Sequence, residues 1–159
     1  MSELPEEHQR TLLAAQGYCE LGMAPDALLE LDTVPPEWRH DATFLEMRLI
    51  VLMQNKEWET ALAAAREITR VAPERNTGYI HAAYCLHVLG RTDAARDTLL
   101  AGPPSLHSDP VYHYNLACYE CRLGQLEQAR AHLEKTFKLD KKFRDFAKND
   151  PDLDPLRPG

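Results

Sequence analysis

Residues 109–129 read DPVYHYNLACYECRLGQLEQA. Their apolar positions recur at about 3.6 residues per turn, the spacing of an amphipathic helix. The stripe consists of Leu116, Ala117, Tyr119 and Leu123. Asp109 is a favourable helix N-cap, and Pro110 suits the first helical position. Gly124 can adopt the left-handed conformation where the helix must end. The stretch therefore predicts a helix, a tight turn and a second helix that begins near Leu126.

The same pattern recurs along the chain with a period of 34 residues. Ala27, Ala61, Ala95 and Ala129 share one register position, and Gly22, Lys56, Gly90 and Gly124 share the turn position. The period defines four units at about 8–41, 42–75, 76–109 and 110–143. Asp41 and Asn76 are predicted N-caps of the second and third units. No stretch alternates like a strand, so the sequence predicts an all-α fold of helix-turn-helix hairpins.

The period, the helix pair, the turn glycine and the small residue of the second helix resemble the tetratricopeptide repeat (TPR) family. Tyr114-Asn115-Leu116-Ala117 is similar to the aromatic-x-Leu-small start of that repeat, and the second unit supplies Trp58, Ala61 and Pro73. The resemblance covers residues 8–143. It implies one domain over residues 1–159, a right-handed superhelical solenoid of four hairpins, with a capping helix and tail at 141–159.

In the resembled family the first helices of the hairpins line a concave groove that binds peptides. The resemblance and the helical spacing give a set of candidate groove residues: Gln16, Glu20, Ile50, Met53, Gln54, Tyr84, His87, Tyr114, Cys118, Cys121 and Arg122. Their mostly neutral, aromatic, sulfur-containing and aliphatic side chains suit an apolar or amphipathic peptide. The alternative is that residues such as Ile50 and Tyr84 only pack between neighbouring helices.

Composition limits the classes of partner. The 159 residues are 44% hydrophobic and carry a net charge of −7, which disfavours a nucleic-acid partner. The basic, Phe-containing run 135–148 is typical of amphipathic terminal helices. No apolar run is long enough to span a membrane, and the start of the chain lacks the pattern of a signal peptide. We therefore expect a cytoplasmic protein without nucleic-acid or membrane partners.

Cys118 and Cys121 form a Cys-x-x-Cys pair, and His81 with Cys85 could complete a zinc site. Cysteines in the middle of a helix are more typical of a reduced apolar core. His8, His40, His107 and His132 fall on predicted turns or polar faces, without a nucleophile or metal motif beside them. The sequence therefore predicts no catalytic residue, no bound metal and no cofactor.

Charge is distributed unevenly along the chain. Residues 1–41 hold nine acidic and two basic residues, whereas residues 130–148 hold seven basic and three acidic ones. This pattern predicts weak, salt-sensitive self-association; the alternative is that both ends are merely solvated. The tail that begins at Asp150 contains prolines that forbid a regular helix. Its two leucines could anchor it on the capping helix, or the tail could resemble a ligand and occupy a groove.

Taken together, these features predict a non-enzymatic scaffold that binds a peptide or helix of a partner protein in its concave groove. Two alternatives stay open at the sequence level. One is a small secretion-type TPR chaperone, and the other is a thiol- or zinc-dependent enzyme.

Overall fold

The computed structural model describes residues 3–158, and these residues form helices without any strand. The α-helices are α1 (Glu6–Glu20), α2 (Ala24–Leu31), α3 (Ala42–Gln54), α4 (Trp58–Val71), α5 (Asn76–Val88), α6 (Thr92–Leu100), α7 (Pro110–Arg122), α8 (Leu126–Leu139) and α9 (Phe143–Lys148). Short 3-10 helices span Pro36–Trp38, Pro104–Ser108 and Pro151–Leu156. The all-α prediction is confirmed. Within residues 3–158, every helix is too short or too polar to cross a membrane.

The chain divides into two compact units, and the division falls inside α5. The first unit ends at Cys85; in it α1 packs on α2 and α3, and α3 packs on α4. The second unit begins at Leu86; in it α7 packs on α6 and α8. The α1–α2, α3–α4 and α7–α8 pairs are the predicted helix-turn-helix hairpins.

The predicted caps Asp41 and Asp109 and the turn residues explain where helices begin and end, whereas Asn76 is the first residue of α5 and not its N-cap. The Asp41 carboxylate accepts hydrogen bonds from the amides of Thr43 and Phe44 at 2.9 and 3.1 Å, and the Asp109 carboxylate caps α7 by accepting from the Val111 amide at 2.9 Å. Gly22, Gly90 and Gly124 have φ angles of 75°, 81° and 80°, and Lys56 has 58° at the same register position. Each turn therefore needs a left-handed residue, and the second hairpin places a lysine there.

Small residues allow the helices to approach closely. The register alanines Ala27, Ala61, Ala95 and Ala129 are all fully buried. Gly78 on α5 provides a further close contact, because a Cβ atom there would lie 2.8 Å from the Thr69 Cγ2 atom of α4.

The end of the chain forms the predicted capping helix, α9, followed by the 3-10 helix Pro151–Leu156. The Phe143 ring of α9 lies 5.2 Å from the Tyr114 ring of α7, whereas Phe146 is largely exposed. Leu153 is buried where the 3-10 helix packs on α7 and α8. The tail therefore lies on the first helix of the last hairpin.

Candidate functional site

Six of the predicted groove residues belong to the first unit: Gln16, Glu20, Ile50, Met53, Gln54 and Tyr84. We call them the open face, because all of them retain solvent exposure. Ile50 and Tyr84 are 47% and 40% exposed, Met53 is half-buried, and the three polar residues are exposed. The open face thus presents two large apolar side chains to solvent, Ile50 on α3 and Tyr84 on α5.

Each polar member of the open face takes part in a hydrogen bond. The Gln16 amide donates to the Glu20 carboxylate at 3.0 Å. The Gln54 amide donates to the Cys19 carbonyl at 2.8 Å, and the Cys19 thiol donates back to the Gln54 side-chain oxygen. The two bonds between Cys19 and Gln54 link α1 to α3 and fix the position of Gln54.

Two neighbouring interactions define the chemistry around the apolar residues. The Tyr84 ring packs edge-on against the Trp58 ring, with centroids 5.9 Å apart, and this contact orients Tyr84 while leaving part of it exposed. Glu46 lies one helical turn before Ile50, and its carboxylate pairs with Arg75 at 3.1 Å. The pairing compensates the acidic charge closest to Ile50 along α3.

The other five predicted residues belong to the second unit: His87, Tyr114, Cys118, Cys121 and Arg122. We call them the α7 face. Tyr114, Cys118 and Cys121 are buried, and Arg122 is exposed. We define residues 150–157 as the C-terminal segment. This segment contacts the α7 face and accounts for the burial. The resemblance and the helical spacing predicted an open surface at these positions, whereas the structure covers Tyr114, Cys118 and Cys121.

Two carboxylates make most of the polar contacts between the C-terminal segment and the α7 face. The Tyr114 hydroxyl donates to Asp150 at 2.6 Å, and the Cys118 thiol donates to the same oxygen at 3.7 Å. Asp152 lies 2.9 Å from the His87 Nε2 atom and 3.5 Å from the Arg122 Nε atom. Each carboxylate therefore has two partners on the α7 face.

The thiols of the second unit are held in their neutral form. Burial raises the pKa of Cys118, and the Asp150 and Asp152 carboxylates raise it further. Burial also raises the pKa of Cys121, although a backbone hydrogen bond from Leu156 opposes this shift. Redox chemistry needs an accessible thiolate, so these shifts disfavour a reactive Cys-x-x-Cys pair.

One group of potential metal ligands occurs within residues 3–158. Donor atoms of Cys118, Asp150 and Asp152 lie within 4.8 Å of one another. This group shares only Cys118 with the set considered from sequence, since it lacks His81, Cys85 and Cys121. The hydrogen bonds from Tyr114 and Cys118 to Asp150 account for the arrangement without a metal ion.

Sequence reasoning did not foresee a pair formed by the buried His113 and the half-buried His132, and it placed His132 on a predicted turn or polar face. His113 Nε2 donates to the His107 carbonyl at 2.8 Å, so its Nδ1 atom accepts from His132 Nδ1 at 3.2 Å. Burial and the neighbouring His113 lower the pKa of His132 to about 4. The two histidines are 19 positions apart on different helices, and the 34-residue repeat carries no signal for their pairing.

The structure defines the class of fold. Consecutive helical hairpins that repeat every 34 residues, with a left-handed residue at the turn, form a TPR-type helical repeat. Among solved structures, the chain is similar to a MamA RS-1 ArsTM double mutant, with 17% identity, 93% of this chain and 88% of that chain covered, and a TM-score of 0.75. It is also similar to MamA 41-end from Desulfovibrio magneticus RS-1, with 16% identity, coverage of 91% and 82%, and a TM-score of 0.77. Likeness at this identity establishes the fold. No protein-family model and no curated protein matches the chain.

Proposed function

We propose that the chain is a non-enzymatic protein-interaction module that binds an apolar or amphipathic peptide or helix of a partner protein on its open face. The observation that carries the proposal is the exposure of Ile50 and Tyr84 on first helices. The fold agrees with this role, since helical repeat proteins commonly use their extended surfaces for binding.

The open face has the composition of a peptide-binding surface. Ile50 and Tyr84 supply apolar area, and a half-exposed aromatic ring is a common central anchor of an interface. Tyr84 is already oriented by Trp58, so binding would cost little side-chain entropy. Gln16 and Gln54 can bond a peptide backbone and fix its register. This role needs no metal or cofactor, and we expect this protein to be cytoplasmic and its partner to be a protein or peptide.

Affinity purification from the source organism tests the proposal. The bait is the full chain as wild type, as an Ile50→Asp/Tyr84→Ala variant, and as a Leu29→Asp control. Leu29 is 68% exposed on α2, a second helix, so the control inserts the same charge on an exposed apolar site away from the open face.

We expect mass spectrometry to identify a protein that the wild type and Leu29→Asp retain and that the open-face variant loses at least tenfold. Circular dichroism melting of all three baits must show that each is folded. If the folded open-face variant retains every protein that the wild type retains, the open face is not the binding surface.

A further inference from the structure

The C-terminal segment is attached to the α7 face mainly through side chains. Asp150 and Asp152 reach four polar partners, and Leu153 is the one buried residue of the segment. Asp154, Pro155 and Arg157 stay exposed. Besides these contacts, the Leu156 amide bonds to the Cys121 thiol and Arg157 donates to the Ala147 carbonyl at 2.8 Å. A short segment held by one apolar residue and a few polar contacts has the anatomy of a bound peptide.

The α7 face is chemically complementary to this sequence pattern. Tyr114 and Cys118 donate to the first carboxylate, and His87 with Arg122 lies against the second. The two aspartates are two residues apart, and the buried leucine follows directly after the second. The residues of the segment that contact the face therefore follow the pattern Asp-x-Asp-Leu.

The segment also carries its own turn. The Asp150 side chain accepts from the Asp152 amide at 2.9 Å, and Arg157 donates to the Asp150 carbonyl at 2.9 Å. Arg157 also pairs with the Asp154 carboxylate. These bonds lie within residues 150–157, so a separate peptide of that sequence can form the same turn before it binds.

We propose that the α7 face is a binding site for an acidic Asp-x-Asp-Leu segment of a partner protein, and that the chain's own C-terminal segment occupies this site as a displaceable internal ligand. The inference rests on the proposed protein-binding role but concerns a different face. A tethered segment competes at an effective concentration on the order of millimolar, so a partner binds well only when the segment is released.

The opposing interpretation is that the C-terminal segment is a permanent part of the second unit and never leaves α7. The two interpretations differ in one measurable property. A displaceable segment is released from α7 when a peptide of the same sequence is added, whereas a permanent cap stays bound.

The main test uses a fluorescein-labelled peptide with the sequence of residues 149–158, NDPDLDPLRP. Fluorescence anisotropy measures its binding to the full-length wild type and to a full-length Asp150→Ala/Leu153→Ala variant, in which the segment is loosened. We expect the variant to bind the peptide at least tenfold more tightly than the wild type does. A peptide with asparagine in place of both Asp150 and Asp152 should bind at least tenfold more weakly.

Two further substitutions in the loosened variant show where the peptide binds. Tyr114→Phe removes only the hydroxyl that meets Asp150, and we expect about tenfold weaker binding because a charge-assisted hydrogen bond is lost. Ile50→Asp alters the open face and should leave binding of this peptide unchanged. The test of the α7 face is therefore independent of the test of partner binding at the open face. Equal binding of the peptide by the wild type and a folded loosened variant would overturn the inference.

A second measurement decides the matter if the loosened variant does not fold. Unlabelled peptide is titrated to about 5 mM, several times the effective concentration of the tether, into ¹⁵N-labelled wild type. We expect the amide signals of Asp152 and Leu153 to move toward random-coil positions while those of α8 stay in place. Signals of Asp152 and Leu153 that do not move over this range refute displacement.

Discussion

Gly78→Ala should destabilise the protein, although alanine is the better helix former. Gly78 lies in the first turn of α5, which packs against α4. The added Cβ atom would lie 2.8 Å from the Thr69 Cγ2 atom, 3.0 Å from the Thr69 amide nitrogen and 3.0 Å from the Ala65 carbonyl oxygen. Two of these three atoms are backbone, so a change of rotamer cannot relieve the contacts.

The magnitude follows from two opposing effects. Overpacking between helices costs about 1–3 kcal/mol. Replacing glycine by alanine within a helix returns up to about 1 kcal/mol, and less in the first turn. We therefore expect Gly78→Ala to lower the free energy of unfolding by about 1–2 kcal/mol.

Urea denaturation followed by circular dichroism measures this change, and Gly17→Ala is the matched control. Gly17 is also helical, but a Cβ atom there meets nothing within 4 Å, so this variant should gain about 0.5–1 kcal/mol. Adding Thr69→Ser to Gly78→Ala removes the nearest methyl group and keeps the hydroxyl that donates to the Arg66 carbonyl. The double variant should recover part of the loss. A neutral or stabilising Gly78→Ala would show that α4 and α5 do not approach as closely as the structure indicates.

Three further predictions concern the turn, the histidine pair and the charged ends. Lys56→Gly should raise the free energy of unfolding by about 0.5–1 kcal/mol in urea denaturation, because relief of the left-handed strain exceeds the extra backbone entropy of glycine. A lower free energy of unfolding would contradict a strained turn. Because the folded-state pKa values of His113 and His132 lie below the ordinary value of 6.5, stability should be complete above about pH 6.5 and should fall as the pH drops toward 4. In His132→Gln, the loss of unfolding free energy between pH 6.5 and pH 4 should be smaller by about 2 kcal/mol. An unchanged loss would show that a group other than His132 causes the pH dependence. Sedimentation velocity at low salt should detect weak self-association that disappears at high salt and in Lys141→Glu/Lys142→Glu, whereas a monomer at high protein concentration and low salt would refute it.

The hairpins were predictable because their signals are local. Asp109, Pro110 and Gly124 mark the start and end of α7 within 16 residues, and the period repeats those signals along the chain. Lys56 is the one turn position without glycine, and it has the same left-handed conformation as the glycines because the helices on either side impose it. Such features need no knowledge of distant contacts.

The covering of the α7 face could not be predicted in this way. Helical spacing places Tyr114 and Cys118 correctly on one face, but Asp150 reaches them across 36 and 32 positions of sequence. No periodicity relates the C-terminal segment to α7, and it forms a 3-10 helix from proline-rich sequence. The buried leucine and paired aspartates are recognisable only when their partners are known.

Site-specific photo-crosslinking tests the central claim, that a partner protein binds the open face. Benzoylphenylalanine replaces Tyr84 or, as the control, Leu29 on α2, and the full chain is irradiated in cells of the source organism. Binding at the open face predicts that position 84 crosslinks to a protein that position 29 does not capture, and that Ile50→Asp abolishes the crosslink. Equal capture of the same proteins from both positions, or a crosslink from position 84 that Ile50→Asp leaves unchanged, would contradict the claim.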